Sequence, residues 1–197
     1  MVRRSEAGSA CYNRVMSIST KFTYEDLKLI PPDRNRYEIV DGELFVTPAP
    51  RTLHQRVTGN IFATLHQHVR QHRLGEVFVA PVDVVFAKGT VLEPDVLFVS
   101  SARRHYVGEE NLSGPPDLAV EVISESTKRL DREVKLKQYA LYGVSEYWLV
   151  DPEGKSVEVF RLKDEEYDLA ARLGIADTLT SPLFPGLTLC VASLWES

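Results

Sequence analysis

The spacing of apolar residues along this chain changes period several times, and each change predicts an element. Leu53, Val57, Ile61, Leu65 and Val69 recur at every fourth position, with Phe62 beside them. That spacing places them on one stripe of a helix running from Leu53 to Arg73, which Gly75 ends. Upstream, Tyr37-Glu38-Ile39-Val40 and Glu43-Leu44-Phe45-Val46 flank Asp41-Gly42, the signature of a tight hairpin, and Pro48 and Pro50 close it. A short helix is predicted before Pro31-Pro32, with Thr23 as its cap and Asp26 in its first turn. Strands are expected at Glu76–Ala80, Asp83–Ala87 and Asp95–Ser100, and the polar stretch Ser101–Gly114 reads as a loop.

Farther on, Asp117-Leu-Ala-Val-Glu-Val-Ile-Ser124 is almost continuously apolar, as a central strand buried on both faces would be. A helix from about Asp131 to Tyr142 follows, stopped by Gly143. Glu146–Val150 is a second buried strand, Asp151-Pro-Glu-Gly154 a turn, and Ser156–Leu162 with Tyr167–Arg172 a hairpin. Leu187–Val191 is a last strand. The order predicts an α/β or α+β fold with a mixed sheet flanked by helices, in one domain from residue 20 to 197 behind a tail of residues 1–19.

Composition narrows this. With 197 residues, 44% apolar and 26% charged, the chain is of ordinary globular type and of one-domain size. No apolar run approaches the roughly 20 residues needed to span a bilayer. A net charge of −5 excludes a polycationic nucleic-acid coat, so contact with nucleic acid requires a local basic surface or a bound cation. Cys11 and Cys190 do not make a disulfide framework, which fits a reduced, cytoplasmic protein. Met1–Ser19 carries Arg3, Arg4 and Arg14 but no apolar signal core, so a loosely ordered tail is expected there, with Met16 as an alternative start.

Two acidic residues stand out. Glu121 sits inside the apolar run, on the same strand face as Ala119 and Ile123. An isolated buried carboxylate costs several kcal/mol, so it must be protonated, paired or metal-bound. Asp95 follows Pro94 at the mouth of another strand and raises the same question. Salt bridges to Arg or Lys would answer it, and so would a magnesium ion between the two carboxylates. Lys135, on the helix after the Glu121 strand, shares its face with Tyr139 and Tyr142 and follows Asp131 by one turn. A lysine there can stabilise charge developing on a phosphate.

These residues, in this order, resemble the Pro-Asp…(Asp/Glu)-x-Lys signature of the restriction-endonuclease-like nucleases. More closely, the chain resembles the Uma family of restriction-endonuclease-type proteins, over about Phe22 to Leu194. The likeness rests on Tyr37-Glu38…Asp41-Gly42-Glu43, His54-Gln55, Pro94-Asp95-Val96, Glu121-Val122-Ile123-Ser124, Asp131…Lys135…Tyr139 and Gly143 to Pro152. It implies a metal-dependent endonuclease acting on DNA, with Asp95, Glu121 and the carbonyl of Val122 holding magnesium, or manganese in its place. The superfamily lysine would fall at Ile123; here it is displaced onto the next helix, as Lys135, with Lys137 as a competitor. The resemblance puts Glu38 near the site as a ligand of metal or water. His54 is placed to orient a phosphate or act as an acid, and Asp83 is close enough in order to approach.

From Arg51 to Gly75 there is no acidic residue, while Arg51, Arg56, Arg70 and Arg73 and four histidines occur. That is a local basic surface of the kind that lies along a phosphate backbone. Lys128, Arg129, Arg132 and Lys137 form a second basic cluster around Lys135. His68 and His72 have zinc-ligand spacing but lack an obvious third ligand. A non-catalytic DNA-binding or assembly module that retains the fold is the main alternative, and a metal-free carboxylate pair of glycosidase type is a third. The family likeness also implies a homodimer, with the Tyr147-Trp148 strand and the C-terminal hairpin as interface elements.

Overall fold

A turn opens the architecture. After a single helical turn, Tyr24–Leu27 (α1), the strands Arg36–Val40 (β1) and Glu43–Thr47 (β2) pair antiparallel across Asp41-Gly42. Both turn residues adopt left-handed backbone, at φ 51° and 84°, which is the twist a two-residue hairpin needs. In this computed structural model residues 21–196 are described; the expected tail, with Cys11, lies outside them.

The four-residue apolar period becomes the helix Thr52–His72 (α2), with Val57, Ile61, Leu65 and Val69 buried. There follow Gly75–Val79 (β3), Val84–Ala87 (β4), Thr90–Leu92 (β5) and Val96–Ser100 (β6). β5 was not expected. Three residues are too few to show a period, and it exists because it bridges β4 and β1 in a small sheet ordered β2-β1-β5-β4. The stretch expected to be loop opens with a 3-10 helix, Ser101–Tyr106.

Leu118–Val122 (β7) is buried at every position. It precedes a π-helical turn, Leu130–Lys135, that runs into the α-helix Leu136–Leu141 (α3). Glu146–Asp151 (β8), Ser156–Lys163 (β9) and Glu166–Gly174 (β10) complete a six-stranded sheet ordered β10-β9-β8-β7-β6-β3, with β7 and β8 parallel and the other neighbours antiparallel. The predicted last strand shrinks to a two-residue pairing of Thr178–Leu179 (β11) with Leu189–Cys190 (β12).

The two faces of β7 serve different layers. Leu118, Val120 and Val122 pack under α2 with Val57, Ile61 and Leu65, while Ala119 and Ile123 join Tyr139, Val144, Tyr147 and Leu149 on the other side. Tyr147 and Trp148 are buried, because β8 is flanked by β7 and β9. They are core residues, which corrects their expected role as an interface; β10 is the sheet-edge strand of the C-terminal hairpin.

Candidate active site

Alternation brings the acidic groups together. β6 and β7 pair with Val96 opposite Val120 and Leu97 opposite Ala119. One more step of that register sets Asp95 against Glu121, and the two groups feel each other's charge. On β1, Arg36 and Glu38 lie two residues apart and therefore point to one side. The turn Leu130–Lys135 turns Asp131 and Lys135 inward, with Tyr139 one further turn along. A π-helical turn inside a helix frequently marks a functional site.

Lys135 is only 1% exposed. Its Nζ lies 2.9 Å from Glu38 Oε1, 3.0 Å from Glu121 Oε1 and 3.3 Å from Asp131 Oδ1. Tyr139 Oη donates to the same Glu121 oxygen at 2.7 Å. Glu38 Oε1 also accepts the Glu93 backbone N–H at 2.8 Å. Asp95 is held separately. Its Oδ1 accepts from Arg36 Nη2 at 2.8 Å, while Oδ2 accepts the Val122 N–H at 2.7 Å and meets His54 Nε2 at 3.1 Å. Arg36 also bonds Glu93 through Nε, at 2.7 Å.

Of the two answers open to Asp95 and Glu121, the structure supplies the protein cations, but not enough of them. Glu38, Glu93, Asp95, Glu121 and Asp131 face the fixed charges of Arg36 and Lys135, with His54 as a third cation only when protonated. The excess shows in the titration of Glu121, Asp131 and Glu93. Burial pushes Glu121 well above the usual carboxylate range; Lys135 opposes this, and Asp131, Asp95 and Glu38 reinforce it. Burial also raises Asp131, and lifts Glu93 to about 7. Asp95 moves the other way. Burial would raise it, but His54, Arg36 and the Val122 N–H bring it down to about 2. Burial alone would lower Lys135, yet Glu121, Glu38 and Asp131 hold it well above its ordinary value.

This donor set fits a hard divalent cation. The ligands are oxygens, negative charge is in excess, and both Lys135 and Tyr139 engage Glu121 through one oxygen. Among the described residues no three His, Cys, Asp or Glu side chains close into a ready-made cage. Magnesium does not require one, since it keeps several waters and binds through one or two carboxylates plus substrate phosphate.

Through Arg36 and His54 the cluster borders a cleft of about 440 Å³, which Asp95, Glu121, Glu38 and Lys135 do not themselves line. Its other walls are the Thr47–Arg51 segment, the Ser124–Lys128 loop and the Asp151–Gly154 turn. Arg51 and Lys128 are exposed on its rim.

A mixed sheet carrying paired acidic strand residues and a buried lysine from the following helix defines the protein as restriction-endonuclease-like. It belongs to the Uma2 family, described as putative restriction endonucleases, whose profile matches residues 23–192. The fold is similar to that of a solved structure from Anabaena variabilis, described as a putative nuclease belonging to DUF820. The TM-score is 0.72 at 18% identity, over 88% of this chain and 97% of that one. No curated protein matches the sequence.

The residues predicted from sequence, Asp95, Glu121, Lys135, Glu38 and His54, converge on this one cluster, and Val122 enters it through its N–H. Lys137, the competitor for Lys135, is exposed. Arg132 is not a free phosphate grip, because it is paired with Glu158. Asp83 lines a smaller cleft with Tyr24, Lys28, Arg36 and Glu93, so it borders the cluster at Arg36 and Glu93. His68 and His72 stack with ring centroids 4.1 Å apart. Arg36 was missed; its signal was its place two residues before Glu38 on a strand, on the same face. Asp131 and Tyr139 had been placed on the Lys135 face without a role; Asp131 proves to pair with Lys135, and Tyr139 with Glu121.

Proposed function

We propose that the protein is a divalent-metal-dependent endonuclease that hydrolyses DNA phosphodiester bonds. The observation that carries this reading is the convergence of Glu121, Glu38 and Asp131 on the buried Lys135 ammonium, directly beside Asp95. Asp95 and Glu121, with the Val122 carbonyl, would hold magnesium or manganese, which when bound polarises the phosphate and lowers the pKa of an attacking water.

The chain's own groups do the rest. Lys135 holds a fixed positive charge next to Glu121 and stabilises the negative charge that builds on phosphorus. Tyr139 and Asp131 hold the Glu121 carboxylate and the ammonium in register. His54, packed against Asp95 and facing the cleft, is placed to give a proton to the leaving oxygen. Arg51 and Lys128 would engage flanking phosphates at the rim.

Purified protein should nick plasmid DNA with magnesium or manganese and stop in chelator, and Glu121→Ala should abolish the nicking. Nicking that persists in Glu121→Ala overturns the assignment. The second reading, a DNA-binding module without turnover, is favoured by the completeness of the contacts already made by Asp95. Calorimetry that detects metal and DNA binding, with no cleavage of any DNA tested, would select it. A homodimer belongs to the same proposal, since two sites would address two strands; sedimentation should give twice the mass of one chain.

A further inference from the structure

Arg36 is placed differently from the other cation of the cluster. Lys135 is enclosed at 1% exposure, whereas the Arg36 side chain is 18% exposed and lines the 440 Å³ cleft. Its Nε is anchored to Glu93 Oε1 at 2.7 Å, and its Nη2 reaches Asp95 Oδ1 at 2.8 Å. The second oxygen of Asp95 is already taken by the Val122 N–H and by His54. Oδ1 is therefore the Asp95 oxygen that Arg36 covers and that nothing else among the described residues engages. A guanidinium is a planar fork that binds a carboxylate or a phosphate equally well by geometry, so it can exchange one for the other without leaving its anchor.

We infer that Arg36 is a phosphate-binding residue that covers Asp95 Oδ1 until substrate arrives, and that this exchange makes metal and DNA bind cooperatively. The inference rests on the nuclease reading above. Without DNA, the guanidinium occupies the oxygen a cation needs, and its positive charge opposes cation entry. An incoming phosphodiester in the cleft draws the Nη end away while Nε stays on Glu93. Asp95 Oδ1 is then free for the metal. Because coupling is reciprocal, metal that reaches Asp95 first releases Arg36 and strengthens DNA binding by the same factor.

The experiment is calcium titration by calorimetry, with and without a short oligonucleotide, on the wild-type protein, Arg36→Gln, Arg36→Lys and Asp95→Asn. In the wild type, calcium should bind about tenfold more tightly with the oligonucleotide present, within the usual range of such couplings. In Arg36→Gln, calcium alone should bind more tightly than to wild type, the coupling should vanish, and the oligonucleotide should bind more weakly. Arg36→Lys should recover part of the oligonucleotide affinity but little of the coupling, because its point charge lacks the fork. Thermal unfolding checks that each variant is folded, and Arg36→Lys carries the comparison if Arg36→Gln is not. If wild type binds calcium in an Asp95-dependent way while Arg36 variants show unchanged affinity and coupling, the inference falls and the nuclease reading stands. If wild type shows no Asp95-dependent calcium binding at all, the nuclease reading falls first and the inference with it.

Discussion

Lys135 and Glu121 occupy one hydrogen bond, but their removal should have opposite effects on stability. Lys135→Ala leaves Glu38, Glu121 and Asp131 buried without the cation they share. Stranding buried charge in this way costs about 3–5 kcal/mol, which urea denaturation would read directly. Glu121→Gln instead takes one negative charge from an overloaded cluster and keeps an oxygen for Tyr139 and Lys135. Its stability in chelator should equal or exceed wild type, although its metal-dependent nicking is lost. A second test follows from Glu93, whose folded value of about 7 lies above the ordinary 4.5. The folded protein holds that proton more tightly than the unfolded chain, so the contribution is complete below pH 4.5 and is lost as pH rises through 7. With metal removed, wild type should lose roughly 3 kcal/mol from this group across that window, and Glu93→Gln should lose less. Asp95 acts at the other end: its depressed value contributes stability above pH 3.8 that disappears as pH falls toward 2. Five of the clustered side chains were legible in the sequence because an acid in an apolar run, or a residue in a known motif order, is conspicuous. Arg36 was not, since an arginine at the start of a strand carries no such contrast; its place on the Glu38 face gains meaning through its contact with Asp95, 59 positions away.

At the scale of elements, the site depends on how β1 and α2 are started and stopped. Gly42 has φ of 84°, and an added Cβ would fall 2.6 Å from the Lys21 Cβ. Gly42→Ala should therefore cost about 1–2 kcal/mol, through both backbone strain and the clash. The hairpin fixes the register of β1, which carries Arg36 and Glu38, so the same variant should also nick more slowly. Gly59 is the contrasting case. It lies inside α2, and a Cβ there would meet nothing within 4 Å. Gly59→Ala should stabilise the protein by about 0.5–1 kcal/mol without touching the site, and thermal melting of the two variants side by side would separate turn geometry from helix propensity. Periodicity predicted α2 well because its 21 residues repeat the stripe five times. It missed β5, and it read Leu130–Lys135 as ordinary α-helix. A π-turn keeps the same residue types and alters only which of them share a face, and tertiary contacts decide that.

Across the whole molecule, charge is divided by position. The chain is net −5, yet no acid occurs between Arg51 and Gly75, and Arg51, Arg56, Arg70 and Arg73 are all exposed. Composition argued against a general affinity for nucleic acid and left room for a local one, and the fold places part of that basic surface where the proposal needs it. Arg51 comes to the cleft from the start of α2, and Lys128 reaches it from the loop after β7, so two segments 77 positions apart in sequence meet at one rim. Not all of the predicted basic surface survives: Arg132 is paired with Glu158, and Arg129 with Glu133 at 3.3 Å. If Arg51 and Lys128 bind phosphates of the strand that enters the cleft, each displaces condensed counterions, and DNA affinity must fall with salt in proportion to their number. Arg51→Ala/Lys128→Ala should then weaken DNA binding at low salt and reduce the slope of log K against log salt by about 1.8, near 0.9 per contact. Calcium affinity without DNA should not change, because neither residue touches Asp95 or Glu121. Fluorescence anisotropy over a salt series measures the slope. An unchanged slope would mean that DNA does not pass this rim, whatever the chemistry at Lys135. The same series on Arg70→Ala/Arg73→Ala, whose side chains sit at the far end of α2, tests whether the duplex runs along the helix or only into the cleft.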